Sequence, residues 1–316
     1  MGDGLRPWHP GCSVRVRVPA SSANLGPGFD SVGLALGLWD TCTATVTDEP
    51  GLRIDVTGEG SAQVPRDASH LVHRTMLRAW EELGVAPPPG LSLACHNEVP
   101  HGRGLGSSAT AIVTGIVAAQ ALHDVCRGAG ASLDLVDLAF ANALGALLEG
   151  HPDNSSASVF GGLTLSWAEG DGVETLRLQP HPDVDPVVVV PAEQLSTAKA
   201  RSVLPTHVRH ADAARNSGRT ALLVHALTHD PAYLLPATRE WLHQEARRES
   251  FAPSMALVDA LRERGHAAVI SGAGPSVLVL TTRAGAAEVE AAVPPSWRVL
   301  RPGVPEAGAQ AFPLAT

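Results

Sequence analysis

Residues 100–110 read PHGRGLGSSAT, and the run from 107 to 123 is small and apolar nearly all round. That composition predicts a buried helix with the glycines just before its N-terminus. Gly102, Gly104 and Gly106 can take positive φ and let the backbone approach a ligand closely. Ser107 and Ser108 open the helix, where unpaired amides and the helix dipole favour an anion. Glycine amides with serine hydroxyls suit a triphosphate, with one hydroxyl left for Mg2+. A bare GxGxG equally suits a glycine turn entering a core helix. The rest of the chain has to decide.

Two further segments bear on that choice. Residues 19–33, PASSANLGPGFDSVG, follow the period-two strand SVRVRV at 13–18. They gather Ser21, Ser22, Asn24 and Asp30 around Gly26 and Gly28, and read as a polar loop built to meet a ligand or as a plain connection. Residues 149–154, EGHPDN, bring a carboxylate, an imidazole and an amide together at the end of an apolar helix. Standing alone, they also read as a solvated helix end with a proline stop.

Composition removes several function classes. Hydrophobic residues make up 44% of the 316 and charged residues 17%, enough apolar material for a sizeable core. A net charge of -9 argues against nucleic acid or an anionic membrane as the main partner. No apolar run reads as a membrane span, and the first ten residues lack a signal-peptide core. Cys12, Cys42, Cys95 and Cys126 are scattered, which argues against a disulfide framework or zinc site and for a cytoplasmic location. Lys199 is the only lysine, so neither a Walker A loop nor a protein-kinase lysine exists. A nucleotide would be held by other means.

The periodicities predict strands at 13–18, 34–46, 91–97, 162–167, 187–190, 266–271, 277–282 and 297–300. They predict helices at 71–83, 107–123, from a Ser132 cap to about 148, 212–228, 231–247, 253–264 and 284–292. The irregular mixture favours an α+β class, divided near residue 165 into 12–165 and 166–316.

Taken in order with SGAGPS at 271–276, the three segments resemble the GHMP small-molecule kinases, and within them the homoserine kinase branch. The resemblance runs from about residue 13 to 280. It implies an N-terminal domain like the second domain of ribosomal protein S5, a C-terminal ferredoxin-like domain, and a site in the cleft between them. The implied reaction carries the γ-phosphoryl group of ATP to the hydroxyl of L-homoserine. Pro100, His101, Gly102, Arg103, Gly104, Leu105, Gly106, Ser107, Ser108, Ala109 and Thr110 would wrap the phosphates, and Ser108 and Glu149 would hold Mg2+. Asn24, Asp30, His151, Arg201 and Arg247 would bind homoserine, with Asp30 facing the ammonium and the arginines gripping the carboxylate. Arg201 lies in STAKAR, matching STxxAR. Arg247 lies in HQEAR, where Glu245 and Ala246 replace the usual Pro-Tyr.

Asn154 stands where several relatives carry an Asp, and an amide cannot take a proton at neutral pH. It would orient the hydroxyl, with Asp153 the rival base and His151 a base or, preferably, a substrate ligand. Asn154, Ser108 and Glu149 are the implied catalytic set, and a homodimer is the implied assembly. The alternatives are another GHMP kinase, acting on threonine or a mevalonate-like alcohol, and a non-catalytic ATP sensor. Asn154 and the lysine-free N-terminal half argue against a mevalonate-type enzyme. Ser107, Ser108 and Glu149 argue against the sensor.

Overall fold

The computed structural model describes residues 8–128, 136–170, 172–194 and 197–314. Two long antiparallel strands come first, β1 (Ser13–Asn24) and β2 (Gly28–Val46). In β1 the alternation is physical: Val14, Val16 and Val18 are fully buried while Arg15 and Arg17 face outward. Residues 19–33, expected as a loop, are instead the end of β1, a tight turn and the start of β2. Ser21 and Ser22 are completely buried there, because a second layer covers the face that is open further up the strand.

β3 (Gly51–Gly58), unanticipated, pairs parallel with β4 (Gly90–Asn97) through α1 (Leu71–Glu82). Next come α2 (Ser107–Cys126), α3 (Leu138–Glu149) and α4 (Pro152–Phe160), with α2 and α4 packed on β1 and β2. Asp137 caps α3 by accepting the Phe140 amide at 3.0 Å, in place of the expected Ser132, which lies outside the described residues. β5 (Leu163–Glu169) pairs with β2, and β6 (Gly172–Leu178) pairs with β5. Contrary to the sequence expectation, α2 is long and apolar enough to cross a membrane, but 78% of that window is buried inside the protein.

The second layer is built on β7 (Val187–Val190). It continues through α5 (Thr197–Ser202), α6 (His210–Thr228), α7 (Leu234–Ala237) and α8 (Ala252–Glu263). It closes with β8 (Ala267–Ile270), β9 (Val277–Leu280), α9 (Ala286–Ala292) and β10 (Arg298–Leu300). The strand order β10-β7-β9-β8, all antiparallel, is the ferredoxin-like βαββαβ arrangement. All four β7 valines are buried, since the strand is covered on both faces. Val188 and Val190 join Leu34, Leu105 and Leu223 in a core shared by both layers, while Val187 and Val189 pack with Met255, Val258 and Val289.

Residues 231–247 do not form the single helix expected. A 3-10 turn (Pro231–Tyr233) and α7 give way to an irregular segment. There the Glu240 carboxylate accepts the amides of Leu242, His243 and Gln244, offering the backbone an alternative to helix. The last strand, β11 (Gln310–Leu314), returns to pair with β1. The first sheet therefore runs on past residue 165, which falls inside β5, and is completed by the C-terminal end of the chain.

Candidate active site

Gly102, Gly104 and Gly106 all take positive φ, 63°, 69° and 71°. Two of them also have no room for a side chain. A Cβ on Gly104 would lie 2.2 Å from the Ser271 carbonyl oxygen, and one on Gly106 would lie 2.1 Å from Ser21 Oγ. Gly106 is the left-handed N-cap of α2, and its carbonyl accepts the Thr110 amide at 2.8 Å. The helix therefore has no internal partner for the amides of Ser107, Ser108 and Ala109.

A cleft of about 160 Å3 opens in front of those amides. Gly102, Gly104, Gly106, Ser107 and Ser108 line it. The other expected members of the loop do not. Pro100, Leu105, Ala109 and Thr110 are buried and anchor the loop. The Arg103 guanidinium donates to the carbonyls of His101, Pro191 and Ala192, which ties the loop to the end of β7. His101 lines an adjoining cavity of about 270 Å3, which shares Ser107 and Ser108 with the cleft. Val64, Pro65, Leu71 and Val72 give that cavity an apolar wall, with Asp40 among its polar members. Burial pushes Asp40 up to about 7, although the Val99 and Glu98 amides donate to it.

The other motifs close round the same cleft. Ser271 Oγ donates to the Gly104 carbonyl at 2.6 Å, so the 2.8 Å contact with Ser22 Oγ has Ser22 as donor. Asn24 lines the cleft, gives its amide to the Gly272 carbonyl and accepts the Asp30 amide. Asn24, Leu25 and Asp30 all have positive φ, a dense set of strained non-glycine backbones at one turn. The SGAGPS segment, far away in sequence, thus pins the first motif to the phosphate-loop glycines.

α4 begins at Pro152, so His151, Asp153 and Asn154 belong to one helix start instead of a spent helix end. Asp153 is buried, and its Oδ1 accepts His151 Nδ1–H at 2.7 Å and the Asn154 amide at 2.8 Å. Burial alone would depress His151, but the bond and charge of Asp153, helped by Glu149, raise it above the ordinary histidine value. Ser21 Oγ donates to Asn154 Oδ1 at 3.1 Å and orients that amide. The Glu149 residue is only half-buried, yet its carboxyl end is shut in. Its Oε2 has no hydrogen-bond partner, and burial pushes its pKa up to about 8. A cation beside that oxygen would satisfy it, so the residues present fit a Mg2+ ion. No cluster of three or more His, Cys, Asp or Glu able to hold a metal exists among the described residues. Mg2+ needs only one or two carboxylates besides phosphate oxygens.

Arg201 and Arg247 both reach the cleft. Arg201 grips Asp30 through two bonds, at 2.6 and 3.2 Å, and Asp30 itself is not in the lining. The two expected substrate charges are thus paired with each other. Arg247 is 1% exposed and donates Nε–H to the Ala200 carbonyl at 2.8 Å. Burial, then the charge of Arg201, pushes it down to about 10, which still leaves it charged at neutral pH. Both guanidinium groups sit over the Phe29 ring, with their carbons 5.7 and 5.8 Å from its centroid. Ala23, Gly272 and Ala273 line the cleft without having been expected as contacts, and Asp153, weighed above only as a rival base, lines it too; all lie inside the quoted motifs.

Two family descriptions match: GHMP kinases N terminal domain at residues 70–162 and GHMP kinases C terminal at 223–298. The chain is 50% identical over 307 residues to a homoserine kinase of Streptomyces coelicolor, covering 96% of each chain. It is 48% identical over 270 residues to a homoserine kinase of Clavibacter michiganensis, covering 85% and 83%. Among solved structures it resembles homoserine kinase from Cytophaga hutchinsonii, with TM-score 0.80, 26% identity and 95% and 97% coverage. A mevalonate diphosphate decarboxylase from Staphylococcus aureus shares the fold at TM-score 0.65 and 14% identity, with 95% and 98% coverage. The glycine loop, the motifs that clasp it and these likenesses agree: the chain belongs to the GHMP kinases, in their homoserine kinase branch.

Proposed function

We propose that this chain transfers the γ-phosphoryl group of ATP to the side-chain hydroxyl of L-homoserine, giving O-phospho-L-homoserine and ADP for threonine biosynthesis in the cytoplasm. One observation carries the reading. A single cleft holds a helix N-terminus for phosphates, a buried carboxylate oxygen without a partner, and two arginines suited to a carboxylate, one of them paired with Asp30 just behind the lining.

The amides from Gly102 to Ala109 cradle the phosphates, and the adjoining apolar cavity takes the adenosine. Ser108 and Glu149 would hold Mg2+, which supplies charge neutralisation on the phosphate oxygens. Homoserine's ammonium and carboxylate replace the Asp30–Arg201 pairing charge for charge, and Arg247 supplies a second carboxylate donor. His151 binds the substrate through Nε2, because its Nδ1–H is donated to Asp153 Oδ1.

Asn154, held by Ser21, orients the hydroxyl. An amide accepts no proton, and Asp153 Oδ1 is occupied by His151 and the Asn154 amide. With His151 read as a substrate ligand, the hydroxyl proton passes to the transferred phosphoryl group in this reading, and positioning and electrostatics provide the rate. A coupled assay for ADP with L-homoserine, L-threonine, mevalonate and no acceptor tests this. ADP release that is independent of acceptor, or faster with threonine or mevalonate, would overturn it.

A further inference from the structure

His243 lies outside the cleft lining, yet three elements of the site meet on its ring. The side chain is fully buried. Nε2 lies 2.9 Å from the Gly26 carbonyl oxygen, which can only accept, so Nε2 carries the proton. Nδ1 is then a bare lone pair, and Arg247 Nη1–H donates to it at 3.3 Å. The ring also stacks on Phe29, with centroids 5.1 Å apart and planes 27° from parallel. Gly26 and Phe29 belong to the turn that carries Asn24 and Asp30.

The chemistry is exclusive. A protonated imidazole could not accept from Arg247, and the other tautomer would set an Nδ1–H against the guanidinium N–H and a lone pair against the Gly26 carbonyl oxygen. The surroundings hold the neutral form. Burial first, and then the Arg247 charge, lowers the histidine, outweighing Glu240, Asp30 and the Gly26 bond. Glu240 Oε2 lies 3.8 Å from Nε2, but its oxygens are engaged by three backbone amides. Among the described residues, Arg247 has two protein acceptors, Ala200 O and His243 Nδ1, for its five N–H bonds. The others remain for the cleft that Arg247 lines.

We propose that His243 is a positioning residue. As a neutral Nε2–H imidazole, it aims the Arg247 guanidinium at the acceptor's carboxylate and locks it to the turn bearing Asn24 and Asp30. This rests on the reading of Arg247 as a carboxylate ligand. It makes His243 a determinant of acceptor affinity although it touches no substrate.

Amide substitutions separate its two bonds. In His243→Asn the amide oxygen stands near Nδ1 and can still accept from Arg247. In His243→Gln the amide nitrogen stands near Nε2 and can still donate to Gly26, while the Arg247 acceptor is lost. The Gln variant should raise the KM for homoserine roughly ten-fold or more, as for a lost hydrogen bond to a charged group, with the KM for ATP within about two-fold. The Asn variant should recover most of that loss. In an Arg247→Lys background the Gln substitution should change the homoserine KM little, because the group it aims has gone. Equal KM losses in Asn and Gln, or an unchanged Gln effect in the Lys background, would overturn the proposal. Nitrogen-15 NMR of the wild-type imidazole needs no activity, so it separates this proposal from the assignment of homoserine. A neutral Nε2–H ring from pH 6 to 8 is expected. An Nδ1–H tautomer, or a charged ring at pH 6, would refute it even if the kinase activity stood.

Discussion

Replacing Glu149 by Gln keeps the shape of the side chain and removes its ionisation. Burial holds the Glu149 carboxyl near pKa 8, against 4.5 for an unburied glutamate, and its Oε2 has no partner. The folded protein therefore binds this proton more tightly than the unfolded chain does. The side chain's contribution is fully favourable below pH 4.5 and is lost as pH rises from 4.5 to 8. The shift of 3.5 units corresponds to at most about 5 kcal/mol at 1.36 kcal/mol per unit, less whatever water entering the cleft recovers. Without nucleotide, the Gln variant should match the wild type in denaturant at pH 4.5 and become the more stable protein by pH 8. Its turnover should fall at every pH, since a neutral amide replaces the anionic metal ligand. In the wild type, apparent Mg2+ affinity in the presence of ADP should tighten roughly five-fold from pH 7 to 8, as the carboxylate is freed. Urea titrations at both pH values with Mg2+ titrations beside them provide the assay. Parallel stability curves for wild type and variant, or a Mg2+ affinity flat across this range, would refute the account of a buried carboxylate waiting for a cation.

Other substitutions test the remaining roles. Ser108→Ala should lower kcat more than it weakens ADP binding, because the loop amides stay while a hydroxyl ligand goes; equal losses in calorimetry and turnover would contradict that. Arg201→Lys should raise the homoserine KM roughly ten-fold and leave that for ATP near its original value, since an ammonium cannot form the two-pronged grip now made on Asp30. Asn154→Ala should cut kcat while the kcat–pH profile keeps its shape. Asp153→Asn should lower the His151 pKa by removing its hydrogen-bonded carboxylate, which NMR titration of the ring would reveal. If Asp153→Asn abolished the acidic limb of the kcat profile while His151→Asn left it intact, Asp153 would be the base and proton transfer to phosphate would be wrong.

Where the chemistry is local, the order of residues sufficed. Three glycines before a small-residue helix suit an anion site or a glycine turn, and EGHPDN sets a carboxylate and an imidazole side by side, because each depends on backbone within a few positions. Strands such as VVVV at 187–190 were equally legible, being continuously apolar over a strand's length. Glu240 was not: its carboxylate undoes an otherwise helical stretch only by turning back on three amides. Nor was Arg103, which has a phosphate ligand's charge and position but donates to the carbonyls of His101, Pro191 and Ala192.

The sequence by itself determined the class of fold, which follows from short-range periodicity, and its ordered motifs resemble a family whose phosphate loop and site residue types they imply. Only the tertiary structure decided that Asp30 pairs with Arg201 across 171 positions, that Ser22 meets Ser271 across 249, and that β11 returns to β1. Burial and charge pairing are set by which distant segments exclude water together, and no local pattern carries that information.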